Sequence, residues 1–191
     1  MIGIIFGPPG SGKGTQAAKI EKEFQLSHLS TGEILRAEVA RGTETGKEVG
    51  RIMAAGDLIP DDIIVSIVRQ RLSESEAGPG VLLDGFPRTL QQAQALDEML
   101  AEEGHRVDFV IALDVPEDVL VERILQRAAV QGRADDTREA IAERMHEYHK
   151  LTEAVLDHYR KKGVRVEVVD GQGDVDDVFE RIRRAIGISS R

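Results

Sequence analysis

The run Gly7-Pro8-Pro9-Gly10-Ser11-Gly12-Lys13-Gly14-Thr15 constrains this chain more than anything else in its 191 residues. Five residues, Ile2 to Phe6, form a short apolar run before it, and an amphipathic stretch through Ile20 to Phe24 follows, so the order is strand, glycine-rich loop, helix. Glycines let successive N–H groups turn inward around an anion, a helix start adds partial positive charge, and Lys13 adds a full charge. The pattern G-x-x-x-x-G-K-[ST] holds except at its last place, where Gly14 stands and Thr15 follows. Gly10, Ser11, Gly12, Lys13, Gly14 and Thr15 are therefore expected to hold the phosphates of a nucleoside triphosphate. Hydrolysis, transfer to an acceptor and switching all stay open at this point.

Beyond the loop, short apolar runs bounded by turn residues alternate with long amphipathic segments. That alternation predicts an α/β chain of three layers, a P-loop fold with a five-stranded parallel sheet and helices on both faces. The expected strands are Ile2 to Phe6, Leu26 to Leu29, Val81 to Leu83, Phe109 to Leu113 and Val164 to Val169, uniformly apolar enough to be buried on both faces. A helix is expected from Pro60 to Leu72 and a long one from Arg138 to Tyr159. At roughly 100 to 200 residues per domain, residues 1–191 read as a single domain. Two small mobile inserts interrupt it. Residues 30–59 carry two helical patterns broken by Gly42, Gly46 and Gly50, and the irregular stretch from Ala128 to Thr137 breaks helical periodicity at Gly132.

Lys and Arg number 25 against 34 Asp and Glu, a net charge of −9, which opposes the diffuse attraction behind nucleic-acid or anionic-membrane binding. Neither partner is expected, and any bound phosphate must be met locally. Cysteine is absent, so disulfides and thiolate catalysis are excluded and a cytoplasmic setting is expected. The opening run is too short, and lacks the basic lead-in, for a secretory signal.

The third strand leads into Asp84-Gly85-Phe86-Pro87-Arg88. A carboxylate at the carboxyl end of a strand beside the phosphate loop is placed to hold magnesium through water, because that ion dehydrates reluctantly. Asp84 is the expected metal residue. Arg88 follows a tight turn where a second phosphate fits. Arg123 and Arg127 lie four apart on one helix face, Arg133 falls in the irregular stretch, and Arg144 is on the next helix. Taken singly, each arginine also fits a solvated helix position.

In order along nearly the whole chain, Gly7 to Thr15, Ser30-Thr31-Gly32-Glu33-Ile34-Leu35-Arg36, Asp84 to Arg88 with Gln92, Gly132-Arg133-Ala134-Asp135-Asp136, and Arg144 with Tyr148 resemble the adenylate kinases, within the nucleoside monophosphate kinases. The resemblance implies magnesium-dependent transfer of the ATP γ-phosphoryl group to AMP, giving two ADP, by a monomer. It implies catalytic roles for Lys13, Arg88, Arg127, Arg133 and Arg144. ATP would meet Gly10 to Thr15, Arg123 and Arg127, with Arg123 by the adenine. AMP would meet Thr31, Arg36, the segment Asp57, Leu58 and Ile59, then Gly85, Phe86, Pro87, Arg88 and Gln92, with Arg133 and Arg144 near the transferred group.

Thr31 stands where pyrimidine kinases of that family tend to have alanine, and a Gln such as Gln92 pairs with adenine through donor and acceptor together. Some members carry a longer second cover with a zinc site; residues 126–136 resemble the short form, without structural zinc. A UMP/CMP kinase is the alternative within the class, and a nucleotide-operated switch or binding module the alternative outside it. His146 and His149 are spaced i and i+3, unlike the His-Glu-x-x-His of zinc hydrolases, and read as a solvated face; His28, His105 and His158 have no partners in sequence.

Overall fold

The computed structural model describes residues 1–74, 80–131 and 137–187. Its sheet is built from β1 (Ile2–Phe6), β2 (Ser27–Ser30), β3 (Val81–Asp84), β4 (Phe109–Asp114) and β5 (Arg165–Asp170), all parallel, in the order β2-β3-β1-β4-β5. The chain leaves β1 toward β2 and β3 on one side, then crosses to β4 and β5 on the other. Ligands of open α/β sheets bind where the order reverses in this way, outside the carboxyl ends of the strands. Register brings Ser30 and Ile5 to either side of Asp84 and sets Phe6 beside Ala112. The loop after β1 therefore leaves from the edge at which Asp84 ends β3.

Successive strand residues point to opposite faces, and the core divides accordingly. Ile4, Leu83 and Val110 face α4 (Asp61–Glu74), α5 (Leu90–Glu102) and α7 (Arg138–Lys161), packing with Val68, Leu96 and Val155. Ile5, Leu82 and Ile111 face α1 (Lys13–Phe24) and α8 (Val175–Ile186), packing with Ile20, Phe179 and Ile182. A third cluster joins Leu120 and Ile124 of α6 (Glu117–Gln131) to Ile141 and Met145 of α7. This is the expected three-layer arrangement. Among the described residues no helix is long and apolar enough to cross a membrane.

Several local expectations are corrected. The edge strands are not buried on both faces: β2 holds a single buried residue, and on β5 Val168 is 58% exposed, because an edge strand has fewer neighbours to cover it. Gly46 and Gly50 do not break a helix. Both lie inside α3 (Glu44–Ala55), where a Cβ on Gly46 would stand 2.4 Å from the Glu38 carbonyl oxygen and one on Gly50 would stand 3.3 Å from Val39. They let α3 approach α2 (Thr31–Ala40) closely. Helix α6 continues to Gln131, past the Ala128 where irregularity was expected; the remainder of that stretch, with Gly132 to Asp136, lies outside the described residues. His158 has a partner, Asp97 of α5 at 2.6 Å, which α7 brings to it across 61 positions of sequence.

Gly3 of β1 pairs in register with Phe109 of β4, and a Cβ on it would stand 2.2 Å from the Phe109 ring. The ring, only 4% exposed, occupies the space a side chain would need. Overpacking of a core costs about 1–3 kcal/mol. Urea denaturation of Gly3→Ala is expected to show a loss of that size, partly recovered when Phe109→Leu is added; unaltered stability in the single variant would contradict this packing.

Candidate active site

The phosphate loop takes its shape from its glycines. Gly12 caps α1 at φ 91, a left-handed conformation that suits a residue without Cβ, and no side chain caps the helix. The first N–H groups of α1 thus turn toward the cleft above the sheet. Ser11 is 2% exposed, and its hydroxyl has no hydrogen-bond partner among the described residues. Lys13 folds back over the loop and donates to the carbonyl oxygens of Gly7 at 2.6 Å and Pro8 at 3.0 Å. Desolvation lowers its pKa to about 8; Asp84 opposes that shift, while Arg88, Arg144 and Arg127 add to it. The amine stands among cations with one carboxylate nearby, so an incoming anion would raise its pKa again.

Asp84 is 7% exposed at the end of β3. Burial pushes its carboxyl up, but contact with His28 and the charges of Lys13, His28 and Arg88 carry it below the ordinary carboxylate value. The His28 Nε2 atom lies 3.4 Å from Asp84 Oδ2. Burial lowers the imidazole pKa, yet Asp84, Glu33 and Glu21 outweigh it and raise it. Sequence reading left His28 without a partner; only strand register, which sets β2 beside β3, brings it to Asp84.

The next turn is held by Gly85 at φ 81, where a Cβ would stand 2.7 Å from Thr31 Oγ1. Thr31, itself buried, donates its hydroxyl to the Asp84 carbonyl at 3.3 Å. Arg88 turns back and donates from Nε to the Gly85 carbonyl at 2.9 Å. Part of that side chain stays exposed, yet desolvation among its neighbours and the nearby charge of Arg144 lower its pKa, against Asp84.

Two cavities open on this turn. A cleft of about 800 Å³ runs over the phosphate loop, lined by Gly10 to Thr15, Asp84, Arg123 and Arg127. A smaller pocket of about 70 Å³ is walled by Thr31, Asp57, Leu58, Ile59 and Gln92. Arg36, Gly85, Arg88 and Arg144 line both. Arg123 also donates twice to the Gly171 carbonyl at 3.2 Å, which ties α6 to the turn after β5. Nearly every expected residue is thereby brought together. Phe86 is not in either wall: it is 1% exposed in the core. Pro87 lines a neighbouring cavity of about 80 Å³ beside Tyr148 and Leu151 instead. Arg133 lies outside the described residues.

Sequence reading also missed Asp61 and Thr89. Gln92 donates from Nε2 to Asp61 Oδ1 at 2.6 Å, and Thr89 donates from Oγ1 to Asp61 Oδ2 at 3.0 Å. The signal was present in part, since Thr89-Leu90-Gln91-Gln92 fits the pattern in which a Thr at the helix start answers a Gln three residues on. Thr89 does cap α5, accepting from the Gln92 N–H at 3.1 Å.

The protein-family model described as "Adenylate kinase" matches residues 5–164 of the chain. The adenylate kinase of Thermus thermophilus is 49% identical over 185 residues, covering 97% of this chain and 96% of its own. That of Xylella fastidiosa is 46% identical over 184 residues, covering 96% and 98%, and that of Stenotrophomonas maltophilia 46% over 183, covering 96% and 97%. With a family model over most of its length and relatives at that identity over nearly all of it, the chain belongs to the adenylate kinase family.

Proposed function

We propose that the enzyme transfers the γ-phosphoryl group of ATP to AMP, reversibly and with magnesium, giving two ADP and so balancing the adenine nucleotides. The observation that carries this reading is that Arg36, Arg88 and Arg144 stand on the walls of both cavities. Cations shared between a triphosphate site and a second pocket suit a reaction joining two phosphates. A hydrolase needs no second pocket of that kind.

In this reading Gly10 to Thr15 cradle the ATP phosphates, Lys13 reaches the terminal ones, and Arg123 and Arg127 border the nucleotide from α6. Arg36 and Arg88 hold the AMP phosphate, while Arg144, Arg127 and Arg133 surround the group in transit. An oxygen of the AMP phosphate bonds to the γ-phosphorus as the bond from that phosphorus to the bridging oxygen breaks, and the electron pair leaves with ADP. The attacking oxygen carries no proton at neutral pH, so no general base is needed. Catalysis then rests on positioning and on neutralising charge over the transferred oxygens.

Asp84 fits magnesium by its chemistry, being an ionised and buried carboxylate beside the phosphate loop; it would hold the ion through water. When bound with ATP, the ion supplies neutralising charge to the β- and γ-phosphate oxygens. Thr31, Gln92 and the segment Asp57 to Ile59 take the adenine of AMP. Residues 30–59 and 126–136 act as covers whose closure excludes water, which otherwise competes as acceptor. The reading extends to a cytosolic monomer on free nucleotides, with no nucleic-acid or membrane partner, in keeping with the net charge of −9.

Two measurements test these assignments. A bound phosphate raises the Lys13 pKa above its free value of about 8, so nucleotide binding takes up a proton as the pH passes that value. Affinity for ADP is expected to fall as pH rises from 8 to 9, by at most about tenfold per unit. Calorimetry in buffers of different ionisation heat should show uptake approaching one proton at pH 9 and almost none at pH 7. Lys13→Met should abolish the difference, and equal uptake at both pH values would contradict the placement of that amine.

Coupled assays with AMP, CMP and UMP should show AMP preferred by at least about tenfold in kcat/KM. A charge-assisted hydrogen bond contributes about 1.5–3 kcal/mol, so Arg88→Ala should raise KM for AMP about tenfold or more and leave KM for ATP within about twofold. Equal use of CMP or UMP would favour a pyrimidine kinase, and slow turnover with every monophosphate a nucleotide switch.

A further inference from the structure

Helix α4 starts just after the segment Asp57 to Ile59 that walls the smaller pocket, and its first residue, Asp61, is half-buried and turned toward α5. Its Oδ1 accepts from Gln92 Nε2 at 2.6 Å and its Oδ2 from Thr89 Oγ1 at 3.0 Å. Gln92 Oε1 accepts in turn from the Arg88 backbone N–H at 2.6 Å. A backbone N–H can only donate, and a carboxylate can only accept. Between them they leave the Gln92 amide one orientation, oxygen toward Arg88 and nitrogen toward Asp61. Gln92 is 2% exposed, so neither bond is readily exchanged for water. What remains for a ligand is one N–H and one Oε1 lone pair, in a fixed order.

We infer that Asp61 is a positioning residue for the choice of acceptor base: it locks the Gln92 amide so that the pocket presents its donor and acceptor in the order an adenine edge complements. This rests on the reading that AMP is the acceptor. Adenine offers an acceptor at N1 and donors at its N6 amino group. Hypoxanthine offers a donor and an acceptor at the same places, and needs the amide reversed. Reversal would set Nε2 against the Arg88 N–H and Oε1 against the Asp61 carboxylate, donor to donor and acceptor to acceptor. Discrimination then follows from two groups that need not touch the base. The neighbouring Asp62 is exposed and also sits in the first turn of α4, so the inward contacts of Asp61 are not needed for its helix dipole.

The test compares kcat and KM for AMP and for inosine monophosphate, with magnesium and ATP, in the wild type, Asp61→Ala, Asp61→Asn and Asp62→Ala, with thermal unfolding of each. Asp61→Ala should lower the AMP to inosine monophosphate ratio of kcat/KM by about tenfold or more, raise KM for AMP, and leave KM for ATP within about twofold. Asp61→Asn keeps one acceptor oxygen and should regain part of the ratio; it serves as the readout should the alanine variant unfold. Asp62→Ala should keep the wild-type ratio. A lowered melting temperature with the ratio unchanged in both Asp61 variants would show a structural contact only and overturn the inference. A wild type unable to phosphorylate AMP would instead overturn the acceptor reading on which it rests.

Discussion

Positive charge held partly out of water around one buried carboxylate is the constraint on which the rest of this structure depends. Burial lowers the Lys13 pKa most, the charges of Arg88, Arg144 and Arg127 lower it further, and Asp84 is the carboxylate that opposes the shift. Desolvating cations is costly unless they are paired. In a chain of net charge −9 that local excess is specific, and the parallel sheet creates it by ending β3 beside the loop that follows β1. Phosphates complete the balance. In the proposed reading two phosphates converge there, in keeping with the arginines that line both cavities.

The same turn links the charged side chains to the walls of the smaller pocket. Asp84 accepts the Thr31 hydroxyl through its carbonyl, Gly85 lies close against that hydroxyl, and Arg88 joins the carbonyl of Gly85 through its side chain and the amide of Gln92 through its backbone. In the proposed reading, the residues that take the adenine and those that hold its phosphate are consecutive links of one hydrogen-bonded chain.

Local sequence patterns made much of this legible. The strand, glycine-rich loop and helix order placed Lys13; the apolar run before Asp84 placed that carboxylate at a strand end; and the five strands follow from apolar runs between turn residues. What escaped depends on register and packing between distant segments. His28 meets Asp84 because β2 pairs with β3, and Asp61 meets Gln92 because α4 and α5 start side by side, neither of which periodicity within one segment encodes. Gly46 and Gly50 looked like helix breakers because their propensity is poor, and only close approach to α2 accounts for them inside α3. Phe86 was expected beside the monophosphate; its ring is buried in the core, a placement that the short Gly85-Phe86-Pro87 pattern does not encode.

In the proposed reaction a phosphate, and not water, receives the γ-phosphoryl group. Phosphorus NMR of the enzyme with equal ATP, AMP and magnesium follows every species at once. ATP and AMP should fall together while ADP rises by twice as much, with no orthophosphate over the time taken to reach equilibrium. Orthophosphate accumulating with AMP unchanged would contradict it.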